Sequence, residues 1–227
     1  MQIHDRQGRV LFDAPRCVTL RAAVEAAWRA EVSLEHAQLD GVDLSRLDLE
    51  ELRLDGASLV AASFRNSNLE EASFAGADLT GADFDGANLE EAILQRACLV
   101  GVKARGANLE LAKLDGANLA DAIADGANLQ AASLRAADLC NARLTNSNLE
   151  KADLSLAQLR RANLSGANLE EADLSFADLS WANLSRANLE RCTVEKTKFA
   201  DAKTAGANLS DLRGQPAGPL APQGPYR

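Results

Sequence analysis

Residues Ala77 to Ala92 read ADLTGADFDGANLEEA. Alanine returns at every fifth position, 77, 82, 87 and 92, and a large apolar residue follows two places later, at Leu79, Phe84 and Leu89. Extending this register in both directions, the phase never slips: the large-residue series runs from Leu34 through Leu54, Phe64 and Phe74 to Phe199 and Leu209, which makes 36 pentapeptides from Val32 onward. A period of five fits neither the repeat of about 3.6 of a helix nor the repeat of about 2 of an ordinary strand, and the density of Gly, Asn and Asp opposes a long helix. What remains is a chain that turns every five residues and points two of each five side chains inward. If each turn is near a right angle, four pentapeptides close one square coil of twenty residues, and stacked coils pair as parallel strands do. Nine such coils, at about 4.8 Å each, make a rod of about 40 Å. Recurring glycines such as Gly76, Gly86 and Gly106 fall at the turns, where a positive φ suits them.

The repeat A(D/N)LXX, seen as ADLTG, ANLSG, ANLSR and ADLSF, resembles that of the pentapeptide-repeat family, and the resemblance covers residues 32–211. It implies an all-β solenoid, a right-handed quadrilateral parallel β-helix with Leu or Phe at the centre of each side and Ala before it. The handedness comes from the resemblance alone.

The ends differ in kind. Residues 2–12, QIHDRQGRVLF, alternate around Gln7-Gly8 and predict a β-hairpin. Thr19 is placed to cap a helix reaching about Ala30, with Leu20, Ala23, Val24, Ala27 and Trp28 on one stripe. Such a helix would cover the first coil, and members of the resembled family commonly carry an N-terminal cap of this sort. The domain reading is a hairpin and capping helix over 1–31, the β-helix over 32–212 and a disordered Pro/Gly-rich tail over 213–227.

Hydrophobic residues make up 47% of the chain but aromatic ones only 4%, so the core is expected to be narrow and built of Ala and Leu. The formal net charge of -9 opposes direct nucleic-acid binding and favours a basic partner. No run of apolar residues is long enough for a membrane span, and the start MQIHDRQGRV lacks a secretory layout. Cys17, Cys98, Cys140 and Cys192 show no metal-ligand spacing, so a reduced, cytoplasmic protein without metal or cofactor is expected.

If twenty residues make one circuit, residues twenty apart stack on one wall. The wall centred on Leu49, Leu69, Leu89 and their successors to Leu209 then carries thirteen outward acids against Lys151 and Arg191, a net charge of -11. The walls beginning at Leu34, Leu39 and Leu44 carry -1, -3 and +3. Like charges on neighbouring strands oppose folding by roughly 0.2–1 kcal/mol each. Two readings of the ladder Glu50, Glu70, Glu90, Glu110, Glu150, Glu170 and Glu190 stand side by side: a partner-binding face, or the by-product of duplicating a twenty-residue unit, with solvated Glu keeping the rod apart from others. The neighbouring Asn column, Asn68 to Asn208, reads as structural, its amides stacked along the rod.

Three smaller features complete the reading. Ala104 and Ala124 replace the inward Leu in successive coils, and Thr204 does so later, which predicts a narrowed or dented segment. Nearby Arg65, Lys103, Arg105 and Arg143 form either a small basic patch or scattered solvated charges. Outward Leu156, Phe176 and Trp181 suggest an apolar contact, made by a partner or by a C-terminal homodimer; otherwise the chain is a monomer. No Ser, His and Asp set accompanies His4 or His36, and carboxylates on a convex rod face water, so a catalytic site is not expected. The function expected is a non-enzymatic scaffold for protein interaction. The family resemblance implies an alternative, in which the acidic rod imitates DNA, binds DNA gyrase or another topoisomerase, and protects against quinolones.

Overall fold

A computed structural model describes residues 1–218. The chain opens with β1 (Gln2–His4) and β2 (Val10–Asp13), paired antiparallel with Ile3 opposite Phe12. Buried Asp5 holds this hairpin together: its carboxylate accepts the backbone N–H groups of Gln7 and Arg9 at 2.8 and 2.9 Å and pairs with the Arg9 guanidinium. Removal from water would raise the Asp5 pKa, but these bonds outweigh that and hold it below its ordinary 3.8. The hairpin joins the rod through an antiparallel bridge from Asp5 to Ala37.

Helix α1 (Leu20–Arg29) starts where Thr19 accepts the N–H of Ala22 at 3.1 Å, and it buries Ala23, Val24 and Ala27, as the stripe predicts. Arg21 donates to the carbonyls of Asp43 and Ser45, and the Trp28 indole N–H donates to the carbonyl of Glu50 at 2.8 Å. The helix therefore lies against the first circuits of the repeat.

From Gln38 onward the residue before each central Leu bridges the residue twenty positions later, in parallel, as far as Thr193 with Arg213. Each full pentapeptide repeats one hydrogen-bond set. Around Leu89, for example, Leu89 and Glu91 donate to Asn108 and Glu110 in the next circuit, Asn88 donates to Ser67 in the previous one, and Ala92 donates to Leu89 across the corner. The third residue of each corner has positive φ, as type II turns need. Glycine fills this place at Gly86, where a Cβ would sit 2.5 Å from the Asn66 side-chain oxygen. Elsewhere larger residues, including Ala131, Phe176 and Trp181, take the same backbone conformation. The strain is about 1–2 kcal/mol per residue, and the corner and inter-circuit hydrogen bonds oppose it.

The core is a column mostly of Ala and Leu closed to water, as expected, with an aromatic cluster toward its N-terminal end. Phe64 and Phe84 stack at 4.8 Å between ring centroids, and Phe74 meets both edge-on at 5.7 and 6.0 Å. At Ala104 and Ala124, where the inward Leu is missing, the coil stacking is unbroken. Their N–H groups keep their bonds to Ile123 and Arg143, and the missing side-chain volume appears as an apolar cavity of about 20 Å³, lined by Leu109, Leu129 and Leu144 among others. The inter-circuit bonds keep the coils stacked without a break here, and the close-packed interior is left with a small void beside the smaller side chains. Residues 214–217, read from sequence as part of a tail without fixed structure, instead bond to the last circuit: Lys196 donates to Gln215 and Ala217 to Thr197. The rest of that expected tail, 219–227, lies outside the described residues.

Two expectations follow. Ala124→Leu should fill the void and raise stability by about 0.5–2 kcal/mol, read as a higher thermal midpoint; a fall would mean that the space is too small for the added methyls. For Asp5 the folded pKa is lowered, so its contribution is present above the ordinary carboxylate range and lost as pH falls through the lowered value. Asp5→Asn should flatten that acid limb in denaturation followed from pH 7 to pH 2.

Candidate interaction face

On the wall centred on Leu49 to Leu209, the Asn column forms one continuous hydrogen-bonded ladder. The Asn68 amide donates to Asp48 at 2.9 Å, and each later Asn donates to the Asn one circuit before it, at 3.0–3.2 Å, up to Asn208. A second amide bond runs sideways. Asn88, Asn108 and Asn128 donate to the carboxylates of Glu70, Glu90 and Glu110 at 3.1–3.3 Å, and Asn188 and Asn208 do the same to Glu170 and Glu190. The column is structural, as the sequence suggests, and it also holds Glu70, Glu90, Glu110, Glu170 and Glu190. That coupling is invisible in the sequence because it depends on side-chain geometry between circuits.

The seven expected glutamates share this wall but differ in charge environment. Arg191 reaches Glu170, Glu171 and Glu190 at 3.2–3.3 Å, and Lys151 pairs with Glu150 at 3.0 Å. These carboxylates in turn raise the pKa values of Arg191 and Lys151. Toward the other end, Asp48, Glu50, Glu51, Glu70, Glu71, Glu90, Glu91 and Glu110 have no ion-pair partner among the described residues. Partial removal from water, then the charges of Glu70, Asp48, Glu51 and Glu71, push the Glu50 pKa up. The wall thus divides into an uncompensated N-terminal rail and a partly compensated C-terminal stretch. Between them Leu111, 45% exposed, and Ala131 interrupt the charge; Leu111 went unread in the sequence because it follows Glu51, Glu71 and Glu91 at the same corner position.

The other candidate groups are also placed. Arg65 pairs with Asp83 and Asp85, Arg105 with Asp85 and Arg143 with Asp125, so three members of the expected basic patch are neutralised on their own wall. Leu156, Phe176 and Trp181 are exposed, at 45%, 48% and 53%. Leu156 and Phe176 belong to one corner column, with the Lys196 ammonium 5.3 Å from the Phe176 ring, and Trp181 stands one corner further on. All four cysteines are free thiols. Cys192 takes an inward Ala position, donates to the Leu169 carbonyl, and burial pushes its pKa up to about 12. Among the described residues no group of His, Cys, Asp and Glu is arranged to hold a metal ion, and no helix is long and apolar enough to cross a membrane.

The profile of pentapeptide repeats matches this chain in eight copies over 30–66, 67–103, 92–130, 125–157 and 152–191. The chain belongs to the pentapeptide-repeat family. Pentapeptide-repeat proteins fold as right-handed quadrilateral β-helices, and the parallel bridges twenty residues apart in this chain agree with such a coil. One similar solved structure is QnrB1, a plasmid-mediated fluoroquinolone resistance protein, 21% identical, covering 78% of this chain and 89% of its own, with a TM-score of 0.60. Another is HetL, a pentapeptide-repeat protein involved in heterocyst differentiation regulation in the cyanobacterium Nostoc sp. strain PCC 7120, 32% identical over 85% of this chain and 93% of its own, with a TM-score of 0.33. No curated protein sequence matches significantly.

In this pentapeptide-repeat chain the rail opposes its own fold, so screening should stabilise it. Raising salt from about 0.01 to 0.15 M shortens the screening length from about 30 to 8 Å and should raise the thermal midpoint; Glu70→Gln with Glu90→Gln should reduce that dependence. For Glu50 the raised pKa has the opposite sign to Asp5: repulsion is present above it and is relieved as pH falls through it. Asn108→Ala should cost about 1–3 kcal/mol, because it breaks the ladder and leaves Asn88, Asn128 and Glu90 each one hydrogen bond short. Chemical denaturation measures this directly.

Proposed function

We propose that this protein is a non-enzymatic interaction rod whose N-terminal acidic rail, from Asp48 to Glu110, docks a basic surface of a partner protein. The carrying observation is that eight carboxylates on adjacent circuits lack a basic partner among the described residues, while Glu150, Glu170, Glu171 and Glu190 further along reach Lys151 or Arg191. A chain that places Arg191 among three glutamates has a means of neutralising this wall, and the rail is where that means is not used. The 1–31 segment serves as the cap of a rod of about nine coils (~40 Å). The setting proposed is cytoplasmic and reducing, with no cofactor, no membrane and no direct nucleic-acid contact.

The test is affinity capture from host extract with the wild-type chain and with Glu70→Lys, Glu90→Lys. A specific partner should be held by the wild type, released by salt and lost from the variant; a partner profile unchanged by charge reversal contradicts the reading.

The second reading is DNA mimicry at DNA gyrase or another topoisomerase, with protection against quinolones. The uncompensated rail favours it, together with the overall likeness to QnrB1, described as a fluoroquinolone resistance protein. Supercoiling by purified gyrase should then fall as this protein is added, or be rescued from a quinolone, in a salt-sensitive way that Glu90→Lys, Glu110→Lys abolishes. Exposed Leu156, Phe176 and Trp181 are assigned in this proposal to a C-terminal homodimer or second partner contact. If they form the dimer, Phe176→Ser with Trp181→Ser should yield a monomer in sedimentation equilibrium, and a retained dimer mass removes them from that role.

A further inference from the structure

Where the C-terminal end of α1 passes over the first circuits, it leaves a half-open cleft of about 680 Å³. Its size lies within the roughly 300–1,000 Å³ typical of ligand sites, on a rod that is otherwise convex. The half-buried Val32 and Trp28 ring give it an apolar side, over the buried Leu52. The Trp28 indole is fixed by its bond to the Glu50 carbonyl, so the ring is held rather than free to fill the space. Glu31, Glu50 and Glu51 supply three carboxylates, and the last turn of α1 adds the partial negative charge of a helix C-terminus. Of the two arginines on the rim, Arg29 is engaged by Glu25 at 3.2 Å, while Arg53 stands at the edge of the neighbouring wall. The raised pKa of Glu50 agrees with an excess of negative charge at this corner.

We propose that this cleft is an anchor site for a basic side chain of the partner, an arginine or lysine whose aliphatic stem packs on Val32 and Trp28 and whose cationic head is held by Glu31, Glu50 and Glu51. This rests on the reading of the acidic wall as the docking face and specifies where docking begins. An aromatic face beside carboxylates favours a cation with an apolar stem over a simple inorganic ion, because both the ring and the apolar side are used. Arg53 is available to donate to a carbonyl of the peptide that carries the basic residue. Glu50 and Glu51 are also the first pair of the rail, so a chain anchored here continues directly over Glu70 and Glu71.

The chain has two tryptophans, so Trp181→Phe leaves Trp28 as the only indole reporter. In that background, titration with N-acetyl-arginine amide at constant ionic strength should change Trp28 emission saturably, and the uncharged isostere N-acetyl-citrulline amide should not. Glu50→Gln with Glu51→Gln should weaken the arginine response at least about tenfold, with circular dichroism verifying the fold and single Glu51→Gln giving a smaller loss. Glu170→Gln with Glu171→Gln, on the same wall but remote from the cleft, should leave it unchanged. Absence of saturation, an equal response to citrulline amide, or unaltered affinity in the Glu50/Glu51 variant overturns the proposal. The titration needs no partner protein, so it fails independently of the Glu70/Glu90 capture experiment.

Discussion

Everything in this rod depends on the parallel hydrogen-bond register of twenty residues between circuits. Each pentapeptide donates two backbone bonds forward and one back, and the bridges keep this spacing from Gln38 to Arg213. A one-residue slip would move the inward Ala and Leu outward and place charged residues in a core too narrow for them. The same register stacks side chains twenty apart, so whatever the sequence repeats at that interval becomes a column on the surface. Core packing and surface chemistry are therefore set by one constraint.

The Asn column is where the two meet. Its amides run along the rod as a second ladder outside the backbone and turn sideways to hold Glu70, Glu90 and Glu110. Ordering long acidic side chains normally costs rotamer entropy at the moment of binding; here part of that ordering belongs to the fold. The price is electrostatic repulsion along the rail, expressed in the raised pKa of Glu50. At the far end Arg191 and Lys151 relieve the same repulsion internally.

Much of this was legible in the residues. The phase of Leu and Ala carries the coil, the wall assignment and the inward positions, and the stripe from Leu20 to Trp28 carries the helix. Features that depend on distances between circuits were not legible. Arg191 counts as one charge in sequence but meets three carboxylates in space. Ala104 and Ala124 mark a thinner core in sequence, but the apolar void beside them shows only in the folded packing. The cleft beside Trp28 needs the path of α1 over the corner, which no local pattern contains. Phe176 and Trp181 show that a corner with positive φ is imposed by the circuit as a whole rather than chosen by its residue.

The most direct test of the coupling between fold and face is hydrogen exchange of the Asn side-chain amides, followed by nuclear magnetic resonance on the 24.1 kDa chain. Asn88 through Asn188 should exchange much more slowly than Asn66 and Asn146, which lie outside the column. Uniformly fast exchange at the rate of free asparagine would mean that the ladder does not persist and that the glutamates are not held by it.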